Sequence, residues 1–491
     1  MILLLVIFTI DPRYHTFQEL SHDLDSIATH YPSITHLDTI GFSTRDSLPI
    51  FAMKVSNNPQ IEEDEPAILY VACHHAEEIL GVELCLYMIN DLISKYNIDS
   101  TITNWVNNRE IWFVPLLNVE GREVVMNGID TIWRKNKRDN NNNGVFDLDG
   151  DGVDLNRNYD FYWSGGGSSN PPNEYYRGPA PFSENETRAI RDLALAQHFV
   201  FCNSYHSART GLGQVIYYPY QWSGGYSPDF LCIRQIADSM SKLIINDAGN
   251  GHYTALTGMG LEGDERNWFY GVWGTFAYTI EISTTTIQPG WKVDSICQRN
   301  MIGAYFLLDR MNYSGITGCI YDSLTNEPLS AEVIINGHYD PNLPPRKSEP
   351  NFGRFLRILT PGADNIEISK DGYTAKSFQN VLVTNNALTQ MNICLNKIGS
   401  DVIKEDYPNR ITINSNPAKD LVFIHLDNPQ NFTALKIYDS NGRLVTKFDN
   451  PAGDLVWQGK DKINRKICDG IYWIVAETAE QKLIKKIIVF N

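Results

Sequence analysis

"AILYVACHHAEEILGVELCLYMINDLISKY", residues 67–96, holds a strand, a turn and a helix in one run. Its first seven residues are apolar without alternation, the pattern of a strand buried on both faces. From Ile79 the apolar residues recur at helical spacing as far as Tyr96. Between the two stand His74 and His75, then Glu77 and Glu78. Read as His-x-x-Glu, the stretch fits a metal pair twice, as His74 with Glu77 and as His75 with Glu78. Residues three apart on a first helical turn share a face, so either pair could reach one ion. The residues alone do not choose between them.

Working outward, "REIWFVPLLN" (109–118) is a second buried strand, and strands alternate with helical periods up to about residue 310. Alternation of this kind predicts an α/β domain, a twisted mixed sheet flanked by helices. "SENETRAIRDLALAQ" (183–197) predicts a helix opened by a capping box of Ser183 with Glu186. After about residue 313 the pattern changes to short alternating strands separated by Gly, Asn and Pro turns. Two small all-β sandwich domains are expected, at 313–398 and 405–491, joined by the polar "NKIGSDVIKEDYPNR" (396–410). The α/β domain then spans 11–312.

The chain has 491 residues, of which 43% are hydrophobic and 20% charged, an ordinary globular composition. A net charge of -17 argues against a nucleic-acid surface, which needs clustered Lys and Arg. "MILLLVIFTI" (1–10) is too short to span a bilayer, which takes roughly 20 residues, and is read as the remnant of a secretory leader. No later segment is apolar enough to cross a membrane. The eight cysteines show no C-x-x-C spacing, and Cys73, Cys85 and Cys202 sit in apolar runs as buried thiols.

Other segments carry chemistry in the same order along the chain: "TIWRKNKR" (131–138), "GVDLNRNYD" (152–160), "YYRGPAPFSENET" (175–187), "NSYHSARTGLGQVIYYPY" (203–220) and "NWFYGVWGTFAYTIEIS" (267–283). Glu281 lies in an apolar strand, where an unpaired carboxylate is expensive unless it has a task. With these segments in order, residues 13 to 310 resemble the zinc metallocarboxypeptidases of the carboxypeptidase A and B kind.

The resemblance implies one zinc held by His75, Glu78 and His206, which resolves the double reading in favour of the second pair. It implies Glu281 as the base that takes a proton from water and hands it to the leaving amine. Arg134 matches the arginine that stabilises the oxyanion, and Asn156 with Arg157 the clamp on the substrate's terminal carboxylate. Asp154 matches a carboxylate that holds a ligating imidazole. Peptide or protein C-termini are then the substrates. Two rivals remain: a hydrolase of cell-wall peptides, and a catalytically idle zinc- or peptide-binding surface protein.

Departures from the family pattern matter. Glu77 replaces an arginine. Counted without gaps from Trp268 and Glu281, Met259 falls where the family has a mobile tyrosine, leaving Tyr253 as a substitute. The same count puts Arg266 at the floor of the pocket for the terminal side chain. A charge-assisted hydrogen bond there, roughly 1.5–3 kcal/mol, predicts a roughly 10- to 150-fold preference for acidic ends. That expectation fails if Asp264 or Glu265 folds inward and pairs with Arg266.

The insertion "RDNNNNGVFDLDGDGVD" (138–154) places Asp139, Asn141 and Asn143 before Gly144, then Asp147, Asp149 and Asp151, all at two-residue spacing. It is read as a calcium loop, although neither half ends in the Glu of an EF-hand; a flexible Asn/Asp loop is the alternative. Residues 314–397, with "PNFGRFLRILTPG", resemble a transthyretin-like or regulatory-like β-domain. Residues 405–491, with "NSNPAKDLVFI", "ALKIYDSNGRLV" and "KIIVFN", resemble the C-terminal sorting domain of type IX secretion cargo. A secreted or surface-held bacterial protein, with the secretion machinery as partner, is the expectation.

Overall fold

Among the described residues nine strands form the central sheet: β1 (Thr35–Phe42), β2 (Pro49–Val55), β3 (Ala67–Ala72), β4 (Glu110–Val114), β5 (Phe201–His206), β6 (Val215–Trp222), β7 (Gly225–Tyr226), β8 (Thr254–Met259) and β9 (Phe276–Glu281). The computed structural model describes residues 10–208, 213–222, 225–259, 263–398, 410–413, 418–419, 421–451, 453–479 and 482–490. Residues 1–9 of the expected leader (1–10), 399–409 of the linker (396–410) and "NSNP" at 414–417 lie outside these residues.

The sheet runs β1-β2-β4-β3-β5-β9-β6-β7, with β8 beside β6. Strands β4, β3, β5 and β9 are parallel, whereas β1, β2 and β6 join antiparallel, so the sheet is mixed. Every residue of β3, β4 and β5 is buried; β3 accordingly reads as an unbroken apolar run, β4 is apolar after Glu110, and β5 buries Asn203, Ser204 and His206 among its apolar residues. Helices α1 (Phe17–His30), α2 (Leu80–Lys95), α3 (Ser100–Val106), α4 (Val119–Met126), α5 (Asn185–Gln197), α6 (Phe230–Leu243), α7 (Glu265–Trp268) and α8 (Gly290–Arg310) flank it. Helix α2 closes tightly on the sheet at Gly81, where a Cβ would stand 2.8 Å from Ala72 Cβ.

Two local expectations are corrected. Helix α2 begins at Leu80, so His75 and Glu78 face each other across a turn, closed by the Glu78 N–H on His75 O at 3.2 Å, and not on a helix. The capping box does not form either. Helix α5 begins at Asn185 with no side-chain cap. The Glu186 carboxylate is drawn instead to Thr44, accepting from its N–H at 3.1 Å and its hydroxyl at 2.5 Å. Tertiary donors outcompete the local box.

The chain forms two bodies, 1–397 and 398–491. In the first, strands Gly315–Asp322, Glu332–Ile335, Arg354–Ile358, Gly362–Ser369 and Lys376–Val383 enclose Ile316, Ile320, Val333, Phe355 and Ile368 in a core separate from that of the α/β sheet. This β module docks on Asp229, a buried residue before α6. Asp229 Oδ1 receives His338 Nδ1 at 2.7 Å and Arg357 Nη2 at 3.5 Å, and Oδ2 accepts from the Tyr270 hydroxyl at 3.0 Å. The described residues of the second body form three- and five-stranded sheets over Val422, Ile424, Leu435, Trp457 and Ile474, with one short 3-10 turn at Pro429–Asn431. All eight cysteines are free thiols. Among the described residues no helix is long and apolar enough to cross a membrane.

Candidate metal centre

The C-terminal ends of β3, β5 and β9 meet at one edge of the sheet, the edge where open α/β sheets place ligands. His206 ends β5 and is the register partner of Glu281, which ends β9. His75 follows β3 after a turn in which Cys73 takes φ +59, a left-handed conformation uncommon outside Gly. His75 Nδ1 and His206 Nδ1 lie 3.1 Å apart. Glu78 reaches both, Oε1 at 2.9 Å from His75 Nδ1 and Oε2 at 2.8 Å from His206 Nδ1. Among the described residues, this is the one group of three His, Cys, Asp or Glu side chains with ligand atoms within 4.8 Å of one another.

The donor set suits zinc. Each imidazole turns its other nitrogen outward, His75 Nε2 to Asp154 Oδ1 at 3.4 Å and His206 Nε2 to Ser204 Oγ at 3.1 Å. With those nitrogens carrying the hydrogens, two lone pairs converge beside a carboxylate, an arrangement that only a cation relieves. His74 faces away, its Nε2 2.9 Å from the Tyr159 hydroxyl.

Around these atoms a cleft of about 560 Å³ is lined by Arg134, Asn156, Arg157, Tyr175, Tyr217, Arg266 and Glu281, among others. Arg134 Nε donates to Asp154 Oδ2 at 2.9 Å. Burial of Asp154 opposes its ionisation, but Arg134 and His75 hold its carboxyl well below the usual range. Asp154 Oδ1 also accepts from the Asn156 N–H at 3.0 Å, which fixes the start of the turn carrying Asn156 and Arg157. Asn156 Oδ1 accepts in turn from the Glu265 N–H at 3.0 Å. Burial, then repulsion from Glu78, pushes the Glu281 carboxyl up to about 8. Its buried Oε2 has no hydrogen-bond partner among the described residues.

Arg266 lines the cleft, but not as a lone charge. Its Nη2 pairs with Asp264 Oδ2 at 2.8 Å and its Nη1 reaches Thr279 Oγ1 at 3.3 Å. Asp264 is also anchored by Asn267, through its N–H at 2.8 Å and its Nδ2 at 3.1 Å. Gly258 leaves room for the guanidinium, since a Cβ there would stand 2.2 Å from Nη2. The condition set against a strong acidic preference is therefore met. Tyr253 is no substitute for the absent tyrosine: it is buried, donating to Ile282 O at 2.8 Å and accepting from Asn300 at 3.1 Å. Met259 ends β8 opposite Gln221; its side chain lies outside the described residues.

Sequence reading missed Tyr175, whose ring sits 5.1 Å from Arg134 Cζ and 5.9 Å from Arg157 Cζ. Its place beside "RGP" in one of the matching segments was the available signal. It also missed the Tyr217 ring, 6.0 Å from Arg266 Cζ.

The insertion gathers no such cage. Asp139 accepts from the Asn143 and Gly144 N–H groups, Asn141 and Asn143 from the Asn143 and Val145 N–H groups, and Asp147 from that of Asp149. Asp151 accepts from the Asn140 and Asp147 N–H groups and lies 3.8 Å from Arg45. These side chains are spent on their own loop, and calcium finds no support there.

Comparison with known proteins follows the same division. Residues 412–490 match the model of a secretion system C-terminal sorting domain, which marks a secreted or cell-surface protein, here of the type IX route. The "Zinc carboxypeptidase" of Saccharothrix mutabilis subsp. capreolus is 28% identical over 294 residues, 57% of this chain and 64% of that one. Carboxypeptidase O of Bos taurus is 24% identical, covering 60% and 78%. Carboxypeptidase D of Mus musculus is 25% identical over 421 residues, a match that runs beyond the α/β domain but takes in only 28% of that longer protein. Thrombin activatable fibrinolysis inhibitor aligns over 60% of this chain and 74% of its own, with TM-score 0.53 and 24% identity. Carboxypeptidase A of Helicoverpa armigera aligns over 60% and 72%, with TM-score 0.53 and 21% identity. At such identities these structures establish the fold alone. The zinc carboxypeptidase model matches residues 20–303, more than half the sequence and the whole of the segment that builds this cleft, so the chain belongs to the zinc carboxypeptidase family.

Proposed function

We propose that the chain is a zinc-dependent exopeptidase that removes the C-terminal residue of peptides. The observation that carries this is the meeting of His75, Glu78 and His206 in one cleft with Glu281, Arg134, Asn156 and Arg157. Zinc held by His75 Nδ1, His206 Nδ1 and the Glu78 carboxylate would supply a Lewis acid for the scissile carbonyl and a more acidic water. Glu281 takes the proton of the attacking water and returns it to the leaving amine. Arg134 stabilises the charge that develops on the carbonyl oxygen, and Asp154 fixes its guanidinium. Arg157 and Asn156 bind the substrate's terminal carboxylate, for which a planar guanidinium is suited, and so restrict cleavage to the last residue.

For the terminal side chain, the Asp264–Arg266 pair supports a preference for hydrogen-bond acceptors, acid or amide, over aliphatic or basic ends. Both Asp264 oxygens are occupied, whereas the buried Arg266 Nε has no partner among the described residues. Residues 11–312 are read as the catalytic domain, 313–398 as a buttressing β module and 405–491 as the module that the secretion machinery engages.

The metal assignment is tested by metal analysis. The wild type binds one zinc per chain and loses peptidase activity to a strong chelator. His75→Ala loses the metal, while His74→Ala keeps it at saturation. An empty site in His74→Ala, with His75→Ala still loaded, would reverse the assignment.

A further inference from the structure

His74 is spent neither on the metal nor on the substrate, yet it is fully buried within a polar network behind the centre. In β5 residues two apart share a face, which brings Ser204 level with His206. Ser204 Oγ lies 3.1 Å from His206 Nε2 and 3.3 Å from His74 Nδ1. His74 Nε2 continues to the Tyr159 hydroxyl at 2.9 Å and to Glu265 Oε2 at 3.6 Å. The His74 and His206 rings stack, with centroids 5.5 Å apart. His74, Tyr159, Ser204, His206 and Glu265 are each at most 1% exposed, so bulk solvent does not reach these contacts.

The hydrogens in this network can be counted. A neutral imidazole that offers the Nδ1 lone pair carries its hydrogen on Nε2. For His206 that hydrogen meets Ser204 Oγ, which must accept it. The serine's own hydrogen then goes to His74 Nδ1 or to the Glu265 carboxyl, the two groups that flank it. In either arrangement Ser204 accepts from His206, and His74 holds the hydroxyl in place.

We propose that Ser204 is the positioning residue for His206, as Asp154 is for His75, and that His74 anchors Ser204 through the network that ends at Tyr159 and Glu265. The inference rests on the zinc reading above. It gives His74 a task and connects the metal edge of the sheet to α7, which carries Arg266.

The test measures zinc affinity of the full chain by chelator competition after metal removal, with cobalt substitution as an optical readout. Ser204→Ala raises the zinc Kd roughly 10- to 100-fold, the usual cost of losing such a partner, and shifts the cobalt bands. Ser204→Thr, which keeps the acceptor, stays near wild type in both readouts. His74→Ala raises the Kd by less and still saturates at one zinc. Should Ser204→Ala fail to fold, Ser204→Cys, nearly isosteric but a weak acceptor, gives the same readout. An unchanged Kd and spectrum in either folded variant overturns the proposal. A wild type that binds no zinc overturns the reading beneath it.

Discussion

Arg266 shows how one neighbour resets the meaning of a charge. Alone in a pocket it would demand an anion; 2.8 Å from Asp264 its charge is largely answered, and what remains is donor capacity. Matched peptides ending in Glu, Gln, Leu and Lys should rank Glu and Gln above the other two, with Glu and Gln within about tenfold of each other. Arg266→Ala should abolish the advantage of Glu and Gln, since it removes the donor and leaves Asp264 without its partner. Leu or Lys as the best wild-type substrate, or an unchanged ranking in the variant, would remove Arg266 from specificity. The pairing was not legible beforehand, because three consecutive charged residues, Asp264, Glu265 and Arg266, do not reveal which folds inward. The choice between His74 and His75 was equally closed to spacing: a turn opened by Cys73 sends adjacent imidazoles to different partners. Glu281 was easier to find, since a carboxylate closing an apolar strand stands out in sequence, whereas His206 came only with the family resemblance.

At the scale of elements, apolar runs announced β3 and β4, because a strand buried on both faces is mostly apolar; β5, with buried Asn203, Ser204 and His206, was less plain. Helix starts were harder to read. Helix α5 lost its box because Thr44 takes Glu186, and that contact crosses a long stretch of chain. Burial, then repulsion from Glu120 and Glu184, pushes the Glu186 carboxyl up to about 8. A folded-state value above the unfolded one means that folding takes up a proton. Stability is then fully present below the ordinary carboxylate range and is lost as pH rises towards about 8. Glu186→Gln removes that dependence. Its melting temperature relative to wild type should therefore be higher at pH 8 than at pH 5. A difference that stays constant between the two, measured by thermal denaturation, would contradict the assignment.

Across the whole molecule, chemistry and delivery occupy separate parts. The residues of the cleft come from the α/β domain, the β module docks on it through Asp229, and the last body carries its own core and the sorting match. The separation was visible as a change from alternating strands and helices to strands alone. What sequence could not supply was the docking, since Asp229, Tyr270, His338 and Arg357 are scattered along the chain and look like ordinary surface residues. The central claim is that this cleft selects a free terminal carboxylate before it cuts. The most direct measurement compares two peptides of one sequence, one ending in a free acid and one in an amide, incubated with the zinc-loaded full chain and followed by mass spectrometry. The free acid should lose its last residue only, while the amide resists. Equal cleavage of the two, or internal fragments from either, would show that Asn156 and Arg157 do not clamp the chain end and that the protein is not an exopeptidase.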